Sequence, residues 1–133
     1  MILLDTHVLV WMAADDRRLG RKARALINRD WPEGQVSVAS ITFWETALLE
    51  RRGWLSLPAP VIEWRTQLLD AGLTELALDG RIMVGAVTLD GLHDDPADRM
   101  IAATAVEHDA ELVTADDRLL RWTHTLTRHD ARR

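Results

Sequence analysis

Short apolar runs alternate with helical stripes along this chain, and at four of the junctions stands an acid. Asp5 follows Ile2-Leu3-Leu4, and Asp116 follows Leu112-Val113-Thr114. Glu45 comes after Val36-Ser37-Val38 and opens a helical stretch; Asp98 lies in Asp95-Pro96-Ala97-Asp98-Arg99, at the head of another helix. Strands separated by helices specify a parallel sheet covered on both faces, an α/β fold in three layers. In such a sheet, strand ends and the following helix starts share one edge, where ligands bind. The spacing therefore predicts that Asp5, Glu45, Asp98 and Asp116 meet.

The pattern predicts strands over residues 2–5, 35–38, 74–76, 111–114 and, at an edge, 125–127. Helices are expected from about residue 8 to 12, then over 19–30, 42–52, 58–71, 96–109 and 117–122. Residues 82–89 fit either a buried helix or a strand, and the reading favours helix. Trp31-Pro32-Glu33-Gly34 is a break, and Gly53 and Gly72 are helix stops. No repeat, low-complexity tract or linker interrupts the 133 residues, so a single domain over 1–133 is expected.

Cysteine is absent, which excludes disulfides, zinc thiolate sites and cysteine nucleophiles. No apolar run reaches the ~18 residues of a membrane span. Met1 leads directly into a strand pattern, without a basic leader and cleavage site, and a cytoplasmic location is expected. The net charge of −5 argues against nucleic-acid binding through bulk charge. Fifteen of the sixteen basic residues are nevertheless Arg, whose planar fork suits phosphate. They cluster at Arg17, Arg18, Arg21 and Arg24, at Arg51 and Arg52, and at Arg128, Arg132 and Arg133.

Each acid has a structural alternative. Thr42-Phe43-Trp44-Glu45 fits a capping box. Asp95-Pro96 fits a cap with proline at the first helical position, leaving Asp98 favourable to the helix dipole. Asp5 and Asp116 can cap the helices that follow them. The helical faces shift the balance. Glu45 shares its face with Ile41, Leu48 and Leu49, and Asp98 shares its face with Ile101, Ala102 and Ala105. Carboxylates turned toward a core need a partner or a metal, and basic partners look scarce in the sheet-edge segments. One shared Mg²⁺ or Mn²⁺ ion accounts for all four acids, since hard cations select clustered oxygen ligands. Such a site suits phosphodiester hydrolysis.

Other signals are weaker. Thr6 and Thr114 adjoin acids, and either packing or orientation of a ligand would explain them. His7 and His93 lie near the proposed edge, where a structural role is the simpler reading. Asp94 and Asp117 are expected to face solvent. Trp11, Trp44 and Trp64 sit on apolar helical faces and read as core. Trp31, Trp54 and Trp122 lie near breaks, placed for an interface or for stacking on bases.

Taken together, four segments resemble the PIN-domain ribonucleases, specifically the VapC-type toxins of prokaryotic toxin–antitoxin pairs. They are Leu3-Leu4-Asp5-Thr6-His7-Val8-Leu9-Val10-Trp11, Ser40-Ile41-Thr42-Phe43-Trp44-Glu45-Thr46-Ala47 with Gly53 after it, His93-Asp94-Asp95-Pro96-Ala97-Asp98-Arg99-Met100-Ile101-Ala102-Ala103-Thr104-Ala105 and Leu112-Val113-Thr114-Ala115-Asp116. Singly each is weakly specific; in this order, over nearly the whole chain, they are strongly so. The resemblance implies a PIN-like α/β/α sandwich with metal-binding acids at Asp5, Glu45, Asp98 and Asp116. It further implies Mg²⁺- or Mn²⁺-dependent endonucleolytic cleavage of RNA, a homodimer and inhibition by a cognate antitoxin protein. Three details depart from the family pattern. Ala97 replaces an aromatic, Thr42 stands where serine is commoner, and Glu50-Arg51 replace a lysine region.

Two other acidic-pocket enzymes fit less well. A receiver-type phosphotransfer domain needs a late lysine, and Lys22 is the only lysine. An Asp-x-Asp phosphatase needs an acid where His7 stands. The remaining rival is a non-catalytic interaction module that keeps the fold; four intact acids argue against it.

Overall fold

The computed structural model describes residues Met1–Arg133. One sheet holds β1 (Ile2–Leu4), β2 (Val36–Ala39), β3 (Thr74–Leu76), β4 (Glu111–Thr114) and β5 (Arg128–Asp130). Its order is β3-β2-β1-β4-β5, and every pairing is parallel. The helices are α1 (Thr6–Ala13), α2 (Arg21–Asp30), α3 (Ile41–Arg51), α4 (Val61–Ala71), α5 (Gly80–Val87), α6 (Pro96–Glu107) and α7 (Asp117–Leu120). The expected three-layer α/β architecture is present.

Strand alternation builds the layers. Ile2 and Leu4 of β1 face one side of the sheet, with Val36, Val38 and Val113, and meet Val8, Leu9, Ala23, Ile27 and Trp64 of α1, α2 and α4. Leu3 and Leu112 face the other side and meet Ile101, Ala102 and Ala105 of α6 and Leu119 of α7. A third small cluster joins Ile82 and Ala86 of α5 to Ala103 of α6. Leu3, Leu4, Leu112 and Ile101 are fully shielded, and each such side chain contributes roughly 1.5–3 kcal/mol. Ser37, a hydroxyl inside a buried strand, donates to the Ile2 carbonyl at 2.8 Å.

Local chemistry sets the boundaries. Asp79 caps α5 by accepting from the Ile82 amide at 3.0 Å, which resolves the 82–89 ambiguity as helix. Gly72, with φ +123°, ends α4, and the Trp31 indole donates to the Ala71 carbonyl at 2.9 Å beside it. Gly20 caps α2 without a side chain, and the backbone of Arg133 lies against it. A Cβ at residue 20 would sit 2.2 Å from the Arg133 carbonyl carbon, so only glycine fits.

Three expectations need correction. The edge strand forms at Arg128–Asp130 rather than over 125–127, pairing Arg128 with Leu112, His129 with Val113 and Asp130 with Thr114. Its charged residues are tolerated because they are half-buried and paired, His129 with Glu111 at 2.6 Å and Asp130 with Arg132 at 2.9 Å. Among the tryptophans, Trp11 and Trp64 are buried as expected, but Trp44 is 55% exposed. The inward stripe of α3 is Thr42, Phe43 and Thr46. This polar-looking side is acceptable in the interior because the Thr46 hydroxyl donates to the Thr42 carbonyl at 2.7 Å and the Thr42 and Thr6 hydroxyls pair at 3.1 Å. Trp122, expected at a surface, is buried and donates to the Asp90 carbonyl at 2.9 Å.

Candidate active site

The chain runs outward from β1 through β2 to β3, then returns to place β4 on the other side of β1. That reversal opens a crevice beyond the carboxyl ends of β1 and β4. Asp5 and Asp116, the residues leaving those two strands, flank it. Facing the same crevice are Glu45 from α3 and Asp95 and Asp98 from the start of α6. Together with His7, Trp11, Arg118 and Arg132, these acids line a cavity of about 450 Å³. All four acids singled out in the sequence therefore border one cavity.

Capping and cavity lining turn out to be compatible. Asp5 caps α1 with one oxygen, accepting from the Thr6 amide at 2.8 Å, while its other oxygen accepts from the Thr114 hydroxyl at 2.6 Å. The same hydroxyl accepts from the Asp116 amide at 3.0 Å and so ties the two strand ends together. Thr114 thus orients Asp5 directly. Asp116 caps α7 through the Arg118 amide at 2.8 Å. Asp95 caps α6 through the Asp98 amide at 3.0 Å. The capping-box reading of Thr42 and Glu45 fails: α3 starts at Ile41, and Thr42 already lies inside it. Glu45 is left free to face the cavity.

Two tight clusters emerge. Potential ligand atoms of Glu45, Asp95 and Asp98 lie within 4.8 Å of one another, as do those of His93, Asp98 and Asp116. Asp98 belongs to both, whereas Asp5 lines the cavity outside either cluster. Asp95, read from sequence as a cap alone, therefore joins the candidate ligands. His93 has its Nε2 2.7 Å from Asp98 Oδ2, and its Nδ1 is buried without a partner. The position of His93, five residues before Asp98 in an acidic loop, was its only sequence signal.

Basic partners are less scarce at this edge than the sequence suggested. The Arg118 guanidinium donates to Asp116 Oδ2 at 2.9 Å and reaches Asp98 Oδ2 at 3.4 Å. Arg132 donates to Asp117 at 2.8 Å and to Asp130 at 2.9 Å, at the cavity mouth. Arg99, by contrast, points away from the acids. Its guanidinium donates to the carbonyls of Ala86, Val87, Leu89, Leu92 and His93 at 2.7–3.2 Å. It thereby fixes the loop that carries His93 to the start of α6.

Electrostatics divide the acids. Burial pushes Asp98 up to about 7, opposed by its bond to His93 and reinforced by Asp5, Asp95 and Asp116. Burial likewise raises Asp5, against the Thr114 hydrogen bond, and raises Glu45, helped by the charge of Asp5. At Asp116 burial acts upward too, but the side-chain and backbone hydrogen bonds from Arg118 outweigh it and hold the carboxyl low. At Asp5, Glu45 and Asp98 burial outweighs every stabilising neighbour, an environment that a bound cation relieves.

Comparison with known proteins agrees with this arrangement. Residues 2–124 match the family model described as the PIN domain. The chain is 36% identical over 124 residues to Ribonuclease VapC22 of Mycobacterium tuberculosis, spanning 92% of both proteins. Among solved structures, VapBC2 from Rickettsia felis, bound to a promoter DNA fragment, superposes with a TM-score of 0.71 at 17% identity, covering 97% of this chain and 98% of that one. VapBC from Salmonella typhimurium, also bound to DNA, gives a TM-score of 0.67 at 18% identity, with 98% of each chain covered. These two share the fold, and the mycobacterial relative shares sequence along nearly the whole length. With the acids brought to one cavity at the switch point of a parallel sheet, the chain belongs to the PIN-domain family.

Proposed function

We propose that this protein is a divalent-metal-dependent endoribonuclease that acts as the toxin of a toxin–antitoxin pair. The observation that carries this reading is the meeting of Asp5, Glu45, Asp98 and Asp116 in one cavity at the sheet's switch point. The mycobacterial relative, 36% identical, bears the name ribonuclease, which supplies the substrate class.

The residues present fit a hard cation. Every close donor but His93 is a carboxylate oxygen, and burial holds Asp5, Glu45 and Asp98 above their ordinary range. We assign Asp5, Glu45, Asp98 and Asp116 as ligands, with Asp95 beside them, and Mg²⁺ or Mn²⁺ as the ion. When bound, such an ion supplies the Lewis acidity for phosphodiester hydrolysis, neutralising charge on the phosphate and acidifying water. The chain's own residues do the rest. Thr114 and the Thr6 amide hold Asp5 in one rotamer. His93 steadies Asp98, and Arg99 steadies the loop that presents His93. Arg118 and Arg132 bring positive charge to the cavity lining, where an RNA backbone would approach.

No helix is long and apolar enough to cross a membrane, and we place the enzyme in the cytoplasm with its RNA. We take the partner to be an antitoxin. A cavity of about 400 Å³ lined by Val10, Ala13, Leu57, Pro58 and Trp64 offers it apolar anchorage. The exposed Met83, Val84 and Val87 of α5 are the face we assign to a second copy. We also take the chain to be one domain, with layers on both sides of one sheet. Incubating purified protein with total RNA, with and without Mn²⁺ and with chelator, tests the reading. Metal-dependent fragmentation that Asp5→Asn abolishes is expected; equal fragmentation by Asp5→Asn in chelator would overturn it.

A further inference from the structure

The two arginines lining the acid cavity are held differently. Arg132 is bound to Asp117 and Asp130, neither of which lines the cavity. Arg118 is bound to Asp116 and Asp98, two of the acids assigned above to the cation. Its grip on Asp116 is complete. Its amide and Nε donate to Oδ1 at 2.8 and 3.2 Å, and its guanidinium donates to Oδ2 at 2.9 Å. Asp98 Oδ2, at 3.4 Å, is already shared with His93. A divalent cation drawing on Asp98 and Asp116 would compete for the same oxygens. The side chain of Arg118 is 60% exposed, so water can receive it when it is displaced.

We propose that Arg118 is a two-position side chain: the resident counter-ion of Asp98 and Asp116 without metal, and a ligand for an RNA phosphate once a cation has displaced it. The inference rests on the metal-site reading above. A guanidinium fork matches carboxylate and phosphate alike, so the same group serves both positions. Arg132 lacks this freedom, because a cation in the cavity would leave Asp117 and Asp130 untouched. The exchange couples the two ligands. Metal binding costs the Arg118 ion pairs, and the released guanidinium strengthens the hold on RNA. The enzyme is thereby kept from binding RNA tightly in the metal-free state.

The test compares wild type with Arg118→Gln, using Asp98→Asn to check the underlying reading. Mn²⁺ affinity is measured by calorimetry without RNA. Melting temperature is recorded without and with saturating Mn²⁺. Affinity for a fluorescein-labelled single-stranded RNA 20-mer is measured on ice in saturating Mn²⁺, with the probe shown intact on a gel. Arg118→Gln should bind Mn²⁺ about threefold to tenfold more tightly, as loss of a partly exposed ion pair allows. It should melt lower than wild type without metal but level with it in Mn²⁺, and it should bind the RNA severalfold more weakly. Equal or weaker Mn²⁺ affinity, equal destabilisation in both states, or unchanged RNA affinity would each overturn the proposal. If Asp98→Asn binds Mn²⁺ as well as wild type, the metal-site reading itself has failed. If Asp98→Asn loses Mn²⁺ while Arg118→Gln does not gain it, the exchange alone has failed.

Discussion

The inner and outer walls of the acid cavity handle negative charge in opposite ways. On the inner wall, Asp5, Glu45 and Asp98 are desolvated against the sheet and α6, and each is pushed toward its neutral form. On the outer side, Asp116 in the cavity lining and Asp130 outside it are paired with Arg118 and Arg132 and held below the ordinary carboxylate range. Hydrogen bonds from arginine outweigh burial at Asp116 and Asp130, whereas burial wins at Asp5, Glu45 and, despite His93 and Arg118, at Asp98, and so strains the metal-free fold. A protein keeps such strain where it serves a ligand. The proposed metal site therefore draws mainly on the inner wall, with Asp116 added from the outer one.

The largest expected effect comes from the inner wall. Asp5→Asn or Asp98→Asn removes a charge and keeps the shape. Cleavage should fall by about a thousandfold or more, since metal-centred charge stabilisation is worth several kcal/mol. The fold should survive, as read by circular dichroism and melting. Retained cleavage by Asp98→Asn would move the catalytic wall elsewhere.

Next in size is the support behind that wall. Arg99 satisfies five carbonyls at once, two at the end of α5 and three in the loop that follows. Arg99→Gln cannot reach them all, and charged hydrogen bonds in part-buried settings contribute about 1.5–3 kcal/mol. Urea unfolding should show a loss of about that size, with cleavage reduced through misplacement of His93. A change under about 0.5 kcal/mol would mean that the loop holds itself.

Much of this was legible in the sequence, because strand length, alternation and caps are local. Ile2-Leu3-Leu4 and Leu112-Val113-Thr114 are short apolar runs that end at acids, and each forms the strand expected. The edge strand was misplaced because Thr125 and Thr127 have the better β propensity. Pairing with β4 decided the register, and pairing is non-local. Trp44 was misplaced for a similar reason: the Thr42 and Thr46 hydroxyls find partners and face inward, which leaves the tryptophan to face out. Arg118 and Arg132 were missed because nothing local says which acid an arginine will reach. Asp95 was missed because a cap with a proline after it is already a sufficient explanation.

A third prediction sets the walls against each other by pH. The folded-state pKa of Asp98, about 7, lies above its ordinary value of 3.8. Folding therefore takes up a proton between those values, so the metal-free fold loses stability as pH rises through that window. Asp116 is shifted down, so its contribution is present above the ordinary carboxylate pKa and is lost as pH falls through its lowered folded-state value. Without metal, Asp98→Asn should be more stable than wild type at pH 8, by about 1–2 kcal/mol after allowing for solvent screening. The gain should vanish near pH 4. Asp116→Asn should show no such alkaline gain. Mn²⁺ affinity of the wild type should drop as pH falls below about 7, because the ion must displace the Asp98 proton. An Asp98→Asn advantage that grows toward acid would reverse the assignment of strain to the inner wall.

The smallest effect tests where the outer wall ends. Asp116 and Asp117 are adjacent, yet only Asp116 lines the cavity. Asp117 faces solvent and accepts from Arg132, which keeps Asp130 as a second partner. Removing the Asp117 charge therefore leaves Arg132 anchored and the acid cavity intact. Asp117→Asn should keep cleavage at the wild-type level and shift the melting temperature by on the order of a degree or two, as exposed substitutions do. Asp116→Asn should lower cleavage clearly, because it takes away a ligand and one of the two anchors of Arg118. Measured side by side, the pair fixes the register of the β4 exit. If Asp117→Asn proves the more damaging, the chain leaves β4 one residue later than the Asp116–Arg118 cap requires, and Asp117 takes over the place assigned here to Asp116.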